Sequence, residues 1–347
     1  MISKKEIPMS NPQYIKPDLC HEEALKLIEP KLAFDESRNF EEYRSELKAK
    51  FLELIGTMPE RVPTNVEVEF ERDHGDFIEK RFIFTSEKYA EVPCHLWIPK
   101  DGKEKHGVVI CLQGHSSGMH ISMGRIVYEG DEVSISGGDR DFAPQIVKEG
   151  YAALVIEQRA FGERKTDKMR EKTTCPHPSM VALLLGRTMV GERVWDVSRA
   201  IDALEAFPEI DTDRVAIMGN SGGGTCSFYA ACFDERIKIA MPSCAVCTYA
   251  DSIGAMYHCA CNYIPHAAQY FDMGDLAALI APRPFIIVCG RDDKIFPLHG
   301  VKKTFDTVSK IYAKAGAPDN CKMIIGEGGH RFYKDPSWDV FRSFEIL

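Results

Sequence analysis

The chain has 347 residues, 44% hydrophobic and 27% charged, which is the mixture of a globular protein rather than a disordered or membrane-spanning one. Its formal net charge of −9 argues against a surface for the phosphate backbone of nucleic acids, which needs clustered lysine and arginine. No apolar run approaches the roughly 18 residues that span a bilayer, and the first residues lack the apolar stretch of a secretory signal. Twelve cysteines in such a chain predict reduced thiols in a cytoplasmic protein.

The N-terminal part of the chain has a helical pattern that later gives way to a strand pattern. Residues 19–57 place apolar side chains three and four positions apart, which predicts two helices. Pro30 breaks or kinks the first helix, and Gly56 fits the end of the second. From about residue 65, apolar and polar residues alternate in NVEVEFERD, FIEKRFIFTSE and VPCHLWIPK, which predicts antiparallel strands with one exposed face.

Short, continuous apolar runs separated by helical segments occupy the rest of the chain. Strands that are apolar on both faces belong to a parallel sheet covered by helices, so this alternation predicts a doubly wound α/β fold with a mixed, mostly parallel sheet. Three insertions interrupt the alternation, near residues 115–141, 159–180 and 244–282, and we expect them near the carboxyl edge of the sheet, where ligands bind. The six runs are residues 107–114, 151–158, 214–220, 237–243, 284–290 and 322–328; the helical segments are 142–149, 190–207, 222–233, 299–315 and 335–346.

The run VAIMGNSGGGT, residues 215–225, places one serine among four glycines. No lysine follows these glycines, which excludes a phosphate-binding P-loop, and Ser221 stands where a dinucleotide-binding loop needs glycine. The run does match G-x-S-x-G, in which a serine on a sharp strand-to-helix turn is exposed as a nucleophile. Ser221 is therefore the candidate nucleophile, and the N–H of Gly222 is a candidate donor to an oxyanion. The competing interpretation is a glycine-rich turn without chemistry.

An acid and a histidine follow Ser221 in the order that this motif predicts. The run FIIVCGRDDKIFP ends a buried strand with two aspartates, and the spacing to the following proline favours Asp293 over Asp292 as the acid. Of the eleven histidines, only His299 and His330 follow Asp293. His299 begins a predicted helix, whereas His330 lies on a glycine-rich loop after the last strand, so His330 is the candidate base.

A second oxyanion donor is expected after the first parallel strand, where the sequence reads VVICLQGHSSG. Gly114 permits close approach, and the backbone N–H of His115 is the candidate donor, with Ser116 as the alternative. His115 and His120 could instead form a metal pair, but no further ligands cluster near them in the sequence.

These motifs resemble the α/β-hydrolase superfamily, and within it the acetyl xylan esterase and dienelactone hydrolase-like branch. The resemblance covers about residues 80 to 345 and rests on the motifs QGHSSG, IEQRAFGER, ERVWDVSRAIDALEAFPEIDTDRVAIMGNSGGG, GRDDKIFP and GEGGH. The resemblance implies a catalytic triad of Ser221, Asp293 and His330, with Gly222 and His115 as the oxyanion hole. Gln113 and Arg159 would lie near the pocket, although Gln113 replaces the usual histidine before Gly114. Residues 1–62 would then be a helical N-terminal extension, and residues 63–347 the α/β-hydrolase catalytic domain.

The function expected from these residues is that of a serine carboxylesterase acting through an acyl-enzyme. The resemblance implies small acyl esters, such as acetylated carbohydrates, as substrates, and no metal or organic cofactor. The alternatives are a serine peptidase of the prolyl-oligopeptidase type, whose usual propeller would not fit into some 100 residues before the core, and a hydrolase-fold binding protein without activity. No nucleic-acid or membrane partner is expected, and a homo-oligomer remains open.

The segment CAVCTYADSIGAMYHCACN contains a C-x-x-C pair followed by a C-x-C pair. Four thiolates could hold a structural zinc ion. The C-x-C spacing is one residue shorter than in common zinc folds, and the surrounding residues are apolar. The favoured interpretation is therefore that Cys244, Cys247, Cys259 and Cys261 are small buried side chains that pack against a pocket wall, with no metal.

Overall fold

A nine-stranded sheet forms the centre of the molecule in the computed structural model, which describes residues 15–168 and 174–345. Within those two ranges, no helix combines the length and the apolar content needed to cross a membrane. The strands are β1 (Glu67–Asp73), β2 (Phe77–Glu87), β3 (Ala90–Pro99), β4 (His106–Leu112), β5 (Ala152–Ile156), β6 (Ile210–Asn220), β7 (Ile237–Ser243), β8 (Phe285–Gly290) and β9 (Cys321–Gly326).

The sheet has the order β1-β2-β3-β5-β4-β6-β7-β8-β9. Strands β1 to β3 pair antiparallel with one another, and β3 pairs antiparallel with β5. From β5 to β9 every neighbouring pair is parallel. The predicted mostly parallel sheet with antiparallel N-terminal strands is confirmed.

The central strands are apolar on both faces because helices cover both faces. All residues of β4, β5 and β8 are buried, and the helices expected between the parallel strands are present. Two strands differ notably from the prediction: β6 begins at Ile210, four residues before the predicted start at 214, because Ile210 pairs with His106. The expected exposed face is missing from β3, where eight of the ten residues are buried. The helices are α1 (Pro17–Leu27), α2 (Phe40–Ile55), α3 (Asp131–Ile135), α4 (Phe142–Lys148), α5 (Pro176–Leu184), α6 (Met189–Ala203), α7 (Gly222–Phe233), α8 (Ala267–Tyr270), α9 (Leu298–Lys314) and α10 (Lys334–Arg342).

The N-terminal helix α2 packs against the main core. Asn39 caps it by accepting hydrogen bonds from the N–H groups of Glu41 and Glu42, and Gly56 ends it with φ +95°. Its buried face is spaced four residues apart, and the Phe51 ring lies 6.1 Å from that of Tyr229 on α7. The helical segment thus shares the apolar core of the sheet, and the expected domain boundary after residue 62 stays a prediction. The buried residues of α2 are Tyr43, Leu47, Phe51 and Ile55.

The three predicted insertions follow β4, β5 and β7, and they leave the sheet at its carboxyl edge. Residues 115–141 contain the short helix α3, and residues 244–282 contain the single turn α8. The described part of 159–180 holds the start of α5; residues 169–173 lie outside the described residues. Ser221 stands at the same edge, between β6 and α7.

Candidate active site

The backbone at Ser221 has φ +58° and ψ −125°, in a region that residues with side chains rarely adopt. Ser221 is the N-cap of α7, and its N–H donates to the carbonyl of Ser243 at the end of β7, with N and O 2.9 Å apart. Its own carbonyl accepts the N–H of Thr225 at 2.8 Å, which is the first bond of the helix. The sequence thus places a serine hydroxyl on a strained strand-to-helix turn.

The glycines around Ser221 are required by close backbone contacts. A Cβ atom on Gly219 would lie 2.5 Å from the carbonyl carbon of Gly223, and one on Gly223 would lie 2.0 Å from the carbonyl oxygen of Leu112. A Cβ on Gly224 would lie 2.6 Å from the carbonyl oxygen of Ser243. Real Cβ atoms essentially never approach so closely, so β4, β6, β7 and α7 can meet at this turn only without side chains.

His330 and Asp293 form a hydrogen-bonded pair. His330 Nδ1 lies 2.8 Å from Oδ2 of Asp293, whose side chain is fully buried. The other oxygen, Oδ1, accepts the N–H groups of Ile295 at 2.8 Å and Phe296 at 3.2 Å. Both oxygens of Asp293 are therefore occupied, and the carboxylate orients the imidazole ring.

The surroundings of Asp293 favour its charged form. Burial raises the pKa of this carboxyl group, but the hydrogen bond and electrostatic interaction with His330, together with the two N–H donors, outweigh burial and hold the pKa below its ordinary value. Asp293 is therefore ionised at neutral pH.

The competing residues lie elsewhere. Asp292 is exposed, and its backbone N–H donates to the carbonyl of Gly328. His299 is exposed on α9, and its Nε2 lies 3.1 Å from Oδ1 of Asp251. The structure brings together Asp293 and His330, the pair that the sequence favours.

Ser221 and His330 face a common cavity of about 600 Å³. Within the described residues, Nε2 of His330 is buried and has no hydrogen-bond partner. Phe296 stacks on the His330 ring, with centroids 6.0 Å apart. Arg140 donates to the carbonyl of His330 at 2.9 Å. An oriented imidazole with an unpaired nitrogen, lining the same cavity as a serine, suits the roles of a base and its nucleophile.

Gly222 and His115, the predicted oxyanion donors, lie close together. A Cβ on Gly222 would be 2.8 Å from His115 Nδ1 and 3.7 Å from the backbone nitrogen of His115. A Cβ on Gly114 would be 3.0 Å from Cβ of Ser221. The turn after β4 thus packs directly against the start of α7, and the oxyanion role of the Gly222 and His115 N–H groups stays a prediction.

Gln113 and Arg159, the predicted pocket residues, are not among the described residues that line this cavity. Gln113 is 1% exposed and donates to Oε1 of Glu157 at 2.5 Å. Arg159 forms a two-pronged contact with Asp196, at 2.8 and 2.9 Å, and pairs with Glu87 at 2.6 Å. Both side chains are held by buried acidic partners outside the cavity lining. Gln113 and Arg159 therefore stabilise the loops around the cavity and do not line it.

Other residues line the cavity without a signal in the sequence. The segment 244–282 contributes Tyr257, His258 and Asn262, and the loop after β8 contributes Ile295 and Phe296. These side chains meet only in the folded chain. The position of 244–282 as an insertion after β7 was the one indication that it would reach the site.

The structure separates the four cysteines of 244–261 into different environments. Sγ of Cys244 lies 3.2 Å from the carbonyl oxygen of Arg331, and that of Cys247 lies 3.9 Å from the carbonyl oxygen of Pro297. Cys259 and Cys261 lie instead beside His115 and Cys175. The disfavoured alternative, a metal pair of His115 and His120, does not form among the described residues, where His120 Nε2 lies 2.9 Å from Oδ2 of Asp131.

The chain belongs to the Abhydrolase family, whose model Abhydrolase_7 matches residues 8–328. The predicted α/β-hydrolase superfamily and fold are thereby confirmed.

Three known proteins illustrate what the chain is similar to. It is 24% identical over 295 residues to "Putative hydrolase YtaP" of Bacillus subtilis, covering 83% of this chain and 94% of that one. It is 27% identical over 232 residues to a 4-O-methyl-glucuronoyl methylesterase of Phanerochaete carnosa, covering 57% of this chain and only 55% of that enzyme. Among solved structures, a putative acetyl xylan esterase from Bacteroides fragilis superposes with a TM-score of 0.73 at 19% identity, covering 92% of this chain and 83% of that one.

Proposed function

We propose that the protein is a serine carboxylesterase that cleaves esters of carbohydrates through an acyl-enzyme. One observation carries the proposal: His330 is held by Asp293 through Nδ1, its Nε2 has no partner in the described chain, and the residue lines the same cavity as Ser221, which stands on a strained turn. The names of the methylesterase and acetyl xylan esterase relatives support the substrate class.

The proposed reaction begins with transfer of the Ser221 proton to Nε2 of His330 as Oγ attacks the ester carbonyl. The oxyanion accepts hydrogen bonds from the N–H groups of Gly222 and His115, each contributing about 3–4 kcal/mol to the transition state. His330 then protonates the departing alcohol, and the acyl group stays on Ser221. Water, deprotonated by His330, releases the acid. Asp293 remains ionised throughout and stabilises the imidazolium.

The shape of the site supports a substrate larger than a simple ester. The cavity at Ser221 adjoins a second one of about 750 Å³, and the two share Ser116, Phe161 and Thr174 in their lining. The second cavity is lined by polar groups, among them those of His95, His120 and Arg125. Aromatic faces and hydrogen-bonding groups together suit a sugar, which presents both apolar ring faces and hydroxyls. We assign the ester to the first cavity and the saccharide to the second.

Hydrolysis of an aryl acetate by the wild type, Ser221→Ala and Ser227→Ala tests this function. Ser227 lies on the same helix but donates to the carbonyl of Gly223, away from the cavity. We expect a loss of at least about 10³-fold in kcat for Ser221→Ala and near wild-type rates for Ser227→Ala. Equal rates for all three proteins would refute Ser221 as the nucleophile, and no turnover by the wild type would refute the esterase and favour a binding protein.

A panel of natural ester types then identifies the substrate. The proposal favours acetylated xylo-oligosaccharides over free aryl acetate in kcat/KM, because the second cavity would bind the sugar. Preference for methyl glucuronate esters would place the sugar on the acyl side instead. Rapid cleavage of Xaa-Pro amides without ester preference would favour the peptidase. The dienelactone hydrolase-like resemblance, the cytoplasmic location and a homo-oligomer stay predictions.

A further inference from the structure

Four side chains with metal-binding atoms converge beside the cavity. Nε2 of His115 and the Sγ atoms of Cys175, Cys259 and Cys261 all lie within 4.8 Å of one another. The shortest described contact joins His115 Nε2 to Cys261 Sγ at 3.2 Å. Neither Cys175 nor His115 is near the C-x-C pair in the sequence, so the fold alone assembles this group.

The spacing of these atoms matches tetrahedral coordination. Zinc binds cysteine sulfur at about 2.3 Å and histidine nitrogen at about 2.0 Å, so tetrahedral ligand atoms stand roughly 3.8 Å apart. Four atoms within 4.8 Å of one another need only small side-chain rotations to reach that geometry. Three cysteines and one histidine are an established ligand set for structural zinc.

A buried cation beside the cluster indicates negative charge on the sulfurs. Arg193 is 3% exposed, its Nη2 lies 3.5 Å from Cys175 Sγ, and its guanidinium stacks 4.2 Å from the Phe161 ring centroid. Its other described hydrogen bonds go to the carbonyl of Arg159, and within residues 15–168 and 174–345 it forms no ion pair with a carboxylate. A buried cation needs an anionic partner. Three thiolates with one Zn²⁺ carry a single negative charge, which Arg193 would balance.

We infer that His115, Cys175, Cys259 and Cys261 bind one Zn²⁺ ion. With four protein ligands the ion has no open position for water, so it is structural and takes no part in hydrolysis. His115 Nε2 is the nitrogen ligand, because its Nδ1 faces Gly222 instead. His115 and Cys259 line the cavity, which provides the metal with a route from solvent.

The ion would join three separate insertions at one point. His115 follows β4, Cys175 precedes α5, and Cys259 and Cys261 belong to the segment after β7. His115 is also the residue whose N–H is assigned to the oxyanion, so zinc would hold that donor in place; this consequence alone rests on the proposed esterase function. The metal site itself depends only on the four ligands and Arg193.

Metal content of the full chain, produced in zinc-supplemented medium and desalted, tests the inference. We expect about one zinc per wild-type chain. Cys259→Ser and Cys261→Ser should lose at least about tenfold in zinc affinity, and hence zinc on desalting, since even outer partners of a metal contribute that much affinity. Cys247→Ala, which the sequence groups with the same pair, keeps its zinc. His330→Gln also keeps it, which separates this site from the neighbouring group of Cys244, Asp293 and His330.

Cobalt provides a second readout that needs no substrate. Titration of the metal-stripped wild type with Co²⁺ should produce the thiolate-to-cobalt charge-transfer and d–d bands of a tetrahedral site, weakened in His115→Ala. If Cys261→Ser fails to fold, the cobalt titration of the wild type and the zinc content of Cys259→Ser, a variant at a half-buried position, still test the metal site. Wild-type protein that binds neither metal, or that contains a disulfide between two of these cysteines under reducing purification, overturns the inference. Zinc-loaded protein without esterase activity would refute the proposed function and leave the metal site intact.

Discussion

His330 Nδ1 lies 2.8 Å from Oδ2 of Asp293, whereas Asp292, the adjacent residue, is exposed to solvent. The difference arises because the backbone after β8 turns so that Oδ1 of Asp293 caps the N–H groups of Ile295 and Phe296. Two identical side chains, one position apart, thus have different surroundings. Substituting Asp292 and Asp293 separately therefore tests the proposed mechanism.

Asp293→Asn should lower kcat for an aryl ester by about 10³–10⁴-fold, because an amide cannot stabilise the imidazolium and orients the wrong tautomer of His330. Asp292→Asn is the matched control and should retain nearly full activity. Steady-state kinetics of the two variants decides the matter, and a larger loss in Asp292→Asn would reverse the assignment of the acid.

The pKa of Asp293 lies below its ordinary value, which makes the stability that it contributes dependent on pH. For an acid with a lowered pKa in the folded state, this contribution is fully present above the unfolded pKa of about 4 and is lost as pH falls through the folded pKa. Urea unfolding of the wild type and Asp293→Asn should therefore show a difference in unfolding free energy that shrinks from pH 5 downwards. A difference that grows on acidification would contradict the ionised carboxylate.

Gly222→Ala should distort the turn after β4, because its Cβ would lie 2.8 Å from Nδ1 and 2.9 Å from Cε1 of His115. We expect a loss of about 1–3 kcal/mol in unfolding free energy. In a His115→Ala background most of this loss should disappear, since the colliding ring is gone. Gly224→Ala collides with Ser243 and Ala245 instead, so its loss should be the same in both backgrounds. If His115→Ala changed the stability loss of both glycine variants equally, the contact between Gly222 and His115 would be contradicted.

Arg159→Gln should lower stability without affecting the chemistry. The substitution removes the Arg159 contacts of Asp196 and Glu87, which keep Arg164 and Arg187, respectively, as partners, so we expect a loss of about 1–3 kcal/mol in unfolding free energy. Arg291→Gln, which breaks an exposed pair with Glu327, should cost less than about 1 kcal/mol. KM for the ester should remain unchanged in both variants. A raised KM in Arg159→Gln alone would instead indicate that Arg159 takes part in substrate binding.

Chain order and local pattern were enough to predict the mixed, mostly parallel sheet, the turn at Ser221 and the pairing of Asp293 with His330. Continuous apolar runs mark strands that are covered on both faces, and the glycines mark a turn where backbones touch. The sequence left Gly224 without an explanation, and the structure supplies one, because the carbonyl of Ser243 on β7 occupies the space of its side chain.

Contacts between insertions could not be predicted, since they depend on how loops far apart in the chain pack over the sheet. The sequence grouped Cys259 and Cys261 with Cys244 and Cys247, their neighbours along the chain. The fold instead brings them to Cys175 and His115. Arg159 was misplaced for the same reason: its partner Asp196 lies on α6, and no local pattern indicates that contact.

Mass spectrometry after labelling with a fluorophosphonate tests directly whether Ser221 is the nucleophile. We expect that the wild-type chain gains the mass of one phosphonyl group, that peptide mapping places it on Ser221, and that ester hydrolysis falls in proportion to labelling. Ser221→Ala should remain unlabelled, whereas Ser227→Ala should label like the wild type. A label on another residue, or a wild-type chain that hydrolyses esters and never reacts, would contradict Ser221 as the nucleophile.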